Sequence, residues 1–220
     1  MSAEPSSNYA DRLEKCYSGA VYDVMRALGR THQVLPYTIR ALDPHWKMAG
    51  QVWTLSGHSD FTLDAHQTLL AWTGFLSKAP RDSVVICQPN DSTMAHMGEL
   101  SAETLQARGI RGYIVDGGCR DTEFIAQIGF RVWCRYSTPF DVVARWIADR
   151  FGDPLTIGNV TIRTGDYVLA DRDGVVIIPV EIVGEVVTQT EAVLRTESLV
   201  RKAIREGVDP QEAYLKYGKF

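Results

Sequence analysis

The chain has 220 residues, 45% hydrophobic and 23% charged, with a net charge of −4. That is the make-up of an ordinary globular domain with a sizeable core, or of one domain plus an appendage. The acidic balance argues against a nucleic-acid groove, which would show a basic face. No apolar run approaches the roughly 20 residues that span a bilayer. Met1 to Asn8 is polar and lacks a charged-then-apolar leader pattern. The cysteines Cys16, Cys87, Cys119 and Cys134 are scattered and form no CxxC pair, so reduced buried thiols in a cytoplasmic protein are the plain reading.

In chain order, Asp11–Leu28 predicts one helix, with Leu13, Ala20, Val21, Val24, Met25 and Leu28 on a shared face and Gly29 as its stop. Gly50–Leu55 alternates as a strand, Asp64–Leu76 predicts a second helix, and Ser83–Cys87 a short apolar strand. Ser101–Arg108 predicts a third helix ended by Gly109. Gly112–Val115, a glycine-containing loop, a helix over Thr122–Ile128 and a strand over Arg131–Cys134 then make a βαβ-like unit. Later, Ile157–Ile162, Tyr167–Ala170 and Val175–Pro179 are separated by Gly and Asx turn residues and predict a β-meander. Val180–Glu206 predicts a long amphipathic helix, followed by a short segment punctuated by Gly207 and Pro210. The pattern is a mixed α/β fold, with an α/β domain over residues 9–180 and a C-terminal helix and tail over 181–220 at a subunit interface.

Two stretches carry chemistry. His96-Met97-Gly98-Glu99-Leu100-Ser101 leads into a helix, and the N–H groups of a helix start suit a substrate carboxylate. The same residues also read as a helix start and nothing more. Asp116-Gly117-Gly118-Cys119-Arg120-Asp121 follows a strand end, where open α/β sheets place ligands. An Arg beside an Asp suits an anionic oxygen and a cation at one spot, although an N-capping Asp with a surface ion pair fits equally. Among the histidines, His32, His45, His58 and His66 read as structural or exposed. His96, two residues before Gly98, is a candidate acid–base or substrate-binding group. Asp171 and Asp173 read as turn residues, the tryptophans as packing, and Cys119 has no base beside it in sequence to make it a nucleophile.

Glu99, followed after residues 100–119 by Arg120-Asp121, resembles the carboxylate and Arg-Asp spacing of the class II 4-hydroxy-4-methyl-2-oxoglutarate and 4-carboxy-4-hydroxy-2-oxoadipate aldolases and their relatives, the RNase E activity regulator A proteins. Ser18–Asp23, Gly109–Gly118 and Gly165-Asp166 with Asp171–Val175 are similar to that family in the same order, so the likeness runs over about residues 18–207. It implies a layered α/β/β sandwich, akin to the swivelling phosphohistidine domain, with a C-terminal helical extension. It further implies Asp121 as a ligand of Mg²⁺ or Mn²⁺, Arg120 as the group binding the 2-oxo acid and its enolate, and the backbone from Gly98 through Glu99, Leu100, Ser101 and Ala102 as the carboxylate cradle. Glu99 stands where the aldolases usually carry Asp, so its reach to the metal differs. Glu197, with Glu191 behind it, is the C-terminal glutamate that a neighbouring subunit would contribute in a homotrimer or hexamer.

On chemical grounds, breaking a C–C bond next to a 2-oxo acid leaves an enolate that a lysine Schiff base or a metal can stabilise. None of Lys15, Lys47, Lys78, Lys202, Lys216 and Lys219 lies in an apolar strand that would depress its pKa. Oxygen ligands with few histidines favour Mg²⁺ or Mn²⁺ over zinc. The expectation is a lyase releasing pyruvate or an analogue, with oxaloacetate decarboxylation through the same enolate. The alternatives are a regulator that binds an RNA-degrading enzyme, and a lyase acting on a sugar-derived 2-oxo acid.

Overall fold

A computed structural model describes residues 9–219; the polar stretch Met1 to Asn8 and the last residue of the tail lie outside the described residues. The elements are α1 (Tyr9–Glu14), α2 (Ser18–Ala27), β1 (Arg40–Ala41), β2 (Met48–Ser59), α3 (Ala65–Lys78), β3 (Ser83–Gln88), α4 (Glu99–Ala107), β4 (Gly112–Val115), β5 (Gly118–Cys119), α5 (Thr122–Ile128), β6 (Val132–Cys134), β7 (Tyr136–Ser137), β8 (Trp146–Phe151), β9 (Leu155–Ile157), β10 (Val160–Ile162), β11 (Tyr167–Ala170), β12 (Val175–Ile178), α6 (Val183–Arg205) and α7 (Pro210–Tyr217).

The main sheet runs β1-β6-β4-β3-β2-β11-β12, with β8 also paired to β2. Its centre, β2-β3-β4-β6, is parallel, and the flanks are antiparallel. Successive side chains on a strand face opposite ways, and the buried β3 and β4 use this fully. Val85, Cys87, Tyr113 and Val115 face a core built with α3, α4 and α5. Val84, Ile86 and Ile114 face the β9–β10 hairpin through Leu155, Ile157, Val160 and Ile162. Helices on one face and a small second sheet on the other make the expected α/β/β layers. A third cluster packs α1, α2 and the first half of α6 against β11 and β12.

Two departures from the expected elements arise where distant groups capture backbone atoms. The first helix is two, because Tyr17 is extended (φ −131°, ψ 155°). Lys47 Nζ takes the Cys16 carbonyl at 2.7 Å, and the Asp171 carboxylate accepts from both the amide and the hydroxyl of Ser18, each at 2.7 Å. Asp171 is thus a turn residue that also caps α2. The late strands do not form one meander. Val52 N–H donates to the Asp166 carbonyl and Gly165 N–H to the Val52 carbonyl, which ties the β10–β11 link to β2 and sets the β9–β10 hairpin apart. The α4 helix begins two residues earlier than expected, at Glu99 with Gly98 as N-cap. The terminal segment holds a further helix, α7, capped by Asp209. Among the described residues, no helix is long and apolar enough to cross a membrane.

Gly57 decides how the sheet curls. β2 bulges between Ser56 and Gly57, where β8 crosses it. A Cβ at Gly57 would stand 2.0 Å from the Ile147 carbonyl oxygen and 2.3 Å from the Trp146 ring. The close approach buries Trp146 beneath the loops that leave β3, β4 and β6.

Candidate active site

Those three loops follow the carboxyl ends of parallel strands. The loop after β3 carries Ala95 to Gly98, the loop after β4 carries Gly117 to Asp121, and the stretch after β7 carries Phe140 to Arg145. Backbone bonds lace them together: His96 N–H to Gly118 O at 2.9 Å, Arg120 N–H to Met97 O at 2.9 Å, and Ala95 N–H to Phe140 O at 2.7 Å. The buried Tyr113 hydroxyl adds a bond to the His96 carbonyl at 3.0 Å. They enclose one side of a cavity of about 470 Å³, whose other side is α3 and the first turn of α4.

Gly98 is the point where the two sequence stretches meet. Its backbone is extended (φ −144°, ψ 178°), so its role is space, since a Cβ would stand 2.8 Å from Asp121 Oδ2 and 3.2 Å from Arg120 Nε. Across that gap Glu99 N–H donates to Asp121 Oδ2 at 3.1 Å. Arg120 Nε lies 3.4 Å from the same oxygen, while its Nη1 donates to Asp141 Oδ2 at 3.2 Å. Asp141 Oδ1 accepts in turn from Arg145, whose guanidinium stacks on the Phe140 ring. Arg120 is therefore held between two carboxylates, half-exposed at the cavity wall. Asp121 is in the left-handed region (φ 54°) and makes no side-chain cap to α5, so its carboxylate turns toward Gly98 and away from its own helix. Asp121 stands at the N-cap position of α5 and pairs with Arg120 as expected, but its side chain makes no capping bond.

Of the other expected residues, Leu100 and Ser101 line the cavity, and their amides sit at helix positions with no intrahelical acceptor. Ser101 Oγ accepts from the Trp72 indole at 2.8 Å. The Ala102 amide already bonds the Gly98 carbonyl at 3.0 Å, and Ala102 is buried inside α4.

His96 lines the floor, fully buried, edge-on to Trp146. Neither ring nitrogen has a hydrogen-bond partner among the described residues, and Asp91 Oδ1 is 3.8 Å from Nε2. Burial pushes its pKa down to about 4, against the opposing pull of Asp91. At neutral pH it is an uncharged hydrogen-bonding group. The hydrogen bond with Cys134 and burial push the Cys119 thiol far up, which keeps it protonated and speaks against a nucleophile.

Glu197 and Glu191 lie elsewhere in the chain's own fold. Glu197 accepts from the Tyr17 hydroxyl, sits 3.6 Å from Lys219 Nζ and lines a second cavity between α2 and α6. Glu191 forms a two-pronged pair with Arg12 at 2.9 Å. Asp141, Trp72, Val142 and Val143 are site residues that the sequence did not single out. Asp141 carries no motif, and only the path of the chain after β7 brings it to Arg120.

Residues 18–177 match a family model described as RraA-like, Aldolase/RraA. The chain belongs to the Aldolase/RraA family. A Halalkalibacterium halodurans protein, provisionally named a 4-hydroxy-4-methyl-2-oxoglutarate aldolase, is 30% identical over 63% of this chain and 65% of its own length. Protein DlpA of Legionella pneumophila is 28% identical over 99% of this chain, which spans only 35% of DlpA. Among solved structures, Streptomyces coelicolor RraAS2, described as an unusual member of the RNase ES inhibitor RraA family, superposes with a TM-score of 0.78 at 23% identity, covering 91% of this chain and 99% of that one. That likeness shows the shared fold. Arg120 and Asp121 fall within the stretch that the Aldolase/RraA model matches.

Proposed function

We propose that this protein is a divalent-metal-dependent aldolase that cleaves a 4-hydroxy-2-oxo acid to pyruvate or an analogue. The observation that carries the reading is the convergence of the Glu99 amide, the Arg120 guanidinium and the Asp121 carboxylate across Gly98, on the wall of one cavity. Relatives provisionally named as aldolases support the reaction class.

The residues fit a hard cation. Asp121 aims its carboxylate away from α5, and Oδ1 has no hydrogen-bond partner among the described residues. Among these residues no group of three or more His, Cys, Asp or Glu side chains could hold a metal. Mg²⁺ and Mn²⁺ are the ions considered, because they bind through one or two carboxylates and keep several waters. Asp121 would hold the ion, with Glu99 as the second carboxylate. The ion would supply Lewis-acid polarisation of the 2-oxo group.

The chain's own residues do the rest. The Leu100 and Ser101 amides of α4 bind the substrate carboxylate, and Arg120 donates to the 2-oxo oxygen. The C4 hydroxyl gives its proton to water as the C3–C4 bond breaks. The electron pair of that bond becomes the enolate, whose oxygen Arg120 stabilises, and C3 then takes a proton from solvent to give pyruvate. C4 leaves as a carbonyl. Neutral His96 offers the substrate an uncharged hydrogen-bonding group at the cavity floor. Loss of carbon dioxide from oxaloacetate gives the same enolate, so the same residues serve it.

Arg120→Ala is the direct test. Loss of a charged donor to a developing oxyanion costs about 3–4 kcal/mol, so kcat should fall by roughly two to three orders of magnitude. Near-normal turnover would remove the mechanism. Assembly as a homotrimer or hexamer, with Glu197 of one copy completing its neighbour's site, belongs to the same reading. A Glu197→Gln chain that assembles normally yet loses activity supports it, and one with full activity removes it. A regulator without catalysis, or a lyase for sugar-derived acids, is separated by the same pyruvate assay.

A further inference from the structure

A cavity of about 660 Å³ lies between α2 and the second half of α6, away from Arg120 and Asp121. Tyr17, Tyr22, Val200 and Ile204 give it apolar walls. The Tyr17 ring is set from both helices. Its hydroxyl donates to Glu197 Oε2 on α6, and Gly19 makes room for it on α2, where a Cβ would stand 3.3 Å from Tyr17 Cε2. Tyr17 and Ile204 are each 37% exposed, so apolar surface faces solvent at the mouth.

The charged groups here divide into paired and free. Lys219 Nζ donates to Asp23 Oδ2 at 2.7 Å and lies 3.6 Å from Glu197 Oε1, and Arg26 meets Asp23 at 3.0 Å. Both carboxylates are therefore answered within the chain. Arg201 and Arg205 line the same cavity and have no ion-pair or hydrogen-bond partner among the described residues. They stand four residues apart on α6, which puts their Cβ atoms about 5–6 Å from each other on one face. Like charges at that spacing repel, and an anion between them relieves the repulsion. Guanidinium forks take a carboxylate through paired, charge-assisted hydrogen bonds. Apolar walls with a few charged groups at one end are the make-up of a small-molecule site.

We propose that the α2–α6 cavity binds a small aromatic acid, with its ring among Tyr17, Tyr22, Val200 and Ile204 and its carboxylate at Arg201 and Arg205. A ring is favoured over an aliphatic chain because the two tyrosines offer it offset or edge-on contact. This site is independent of the aldolase reading. Its charged end lies one and two turns beyond Glu197 along α6, and it uses none of Arg120, Asp121 or the α4 amides.

The test is calorimetric titration of the full chain with 2-naphthoate, its neutral amide 2-naphthamide, and acetate. The acid has both parts, the amide lacks the charge, and acetate lacks the ring. The acid should bind at least tenfold more tightly than either. The double variant Arg201→Gln with Arg205→Gln, both at exposed helix positions, should weaken the acid at least tenfold and leave the amide unchanged. Arg120 also attracts anions, so Arg120→Ala is titrated beside it and should bind the acid as the unaltered chain does. Equal binding of acid and amide overturns the proposal. Loss of acid binding in Arg120→Ala, with the double variant unaffected, overturns it by moving the ligand to the other cavity. No binding of the acid overturns it too, and a mass measurement at the same concentrations shows whether a second copy covers this face instead.

Discussion

Gly98→Ala separates the site from the fold. The Gly98 backbone is extended (φ −144°), so alanine meets no torsional penalty there. Its Cβ, however, would lie 2.8 Å from Asp121 Oδ2, 3.2 Å from Arg120 Nε and 3.3 Å from Arg120 Cγ. Relief of the first contact requires a shift of about half an ångström, since non-bonded carbon atoms settle near 3.5 Å and carbon–oxygen contacts a little closer. The groups that move are side-chain ends about 40% exposed, so stability should change by less than about 1 kcal/mol and Tm by no more than about 4 °C. The chemistry is less forgiving. Misplacement of a positioned group by about 1 Å costs on the order of a hundredfold, so half that shift in two groups at once should lower kcat/KM by roughly ten- to a hundredfold. Gly57→Ala provides the contrast. Its Cβ would stand 2.0 Å from a backbone oxygen inside the sheet, so it should destabilise by several kcal/mol. The assay couples pyruvate release to lactate dehydrogenase and follows thermal melting of each variant. Full activity in Gly98→Ala at unchanged Tm would refute the role given to this gap, as would a loss of Tm matching that of Gly57→Ala.

Three further outcomes follow from the same contacts. Asp141→Asn removes the charge that holds Arg120 Nη1 at 3.2 Å; KM for the 2-oxo acid should rise several-fold with a smaller change in kcat, and an unchanged KM would show that Arg120 is positioned by other groups. His96 has a folded pKa near 4, below its ordinary value of 6.5, so the unfolded chain binds the extra proton first. Stability from this residue is complete above pH 6.5 and is lost as pH falls toward 4, by on the order of 3 kcal/mol. His96→Phe should flatten that acid limb in urea melts at pH 4.5 and 7, and an identical pH slope in both proteins would contradict it. Asp171→Ala takes away the carboxylate that caps α2; a loss of about 1–3 kcal/mol in a denaturant titration is expected, with kcat unaltered.

Much of the fold was legible because burial pattern and period agreed. The runs Ser83–Cys87 and Gly112–Val115 read as apolar strands, and both are central and buried on two faces. Asp64 and Gln67 form the capping box that starts α3 one residue after the expected boundary. Two of the departures share one cause: distant groups compete for local backbone bonds. Lys47 and Asp171 break a helix that periodicity draws as continuous, and β2 captures the turn around Gly165 and Asp166 that local chemistry assigns to a meander. The site behaved alike. Glu99, Arg120 and Asp121 stand out in the sequence through their types and spacing. Asp141 and the α3 wall do not, because their part depends on three loops converging from separate strands. Glu197 illustrates the opposite limit, a residue assigned by resemblance that within one chain pairs with Tyr17 and Lys219.

The central claim is that an ion held by Asp121 and an enolate quieted by Arg120 share one cavity. Pyruvate release from a 4-hydroxy-2-oxo acid, followed in the native chain and in Asp121→Ala while Mg²⁺ is added and then withdrawn with EDTA, tests it most directly. Release should rise with the ion, stop with the chelator and be at least a hundredfold lower in the variant. Turnover that persists through chelation, or survives intact in Asp121→Ala, would contradict the account.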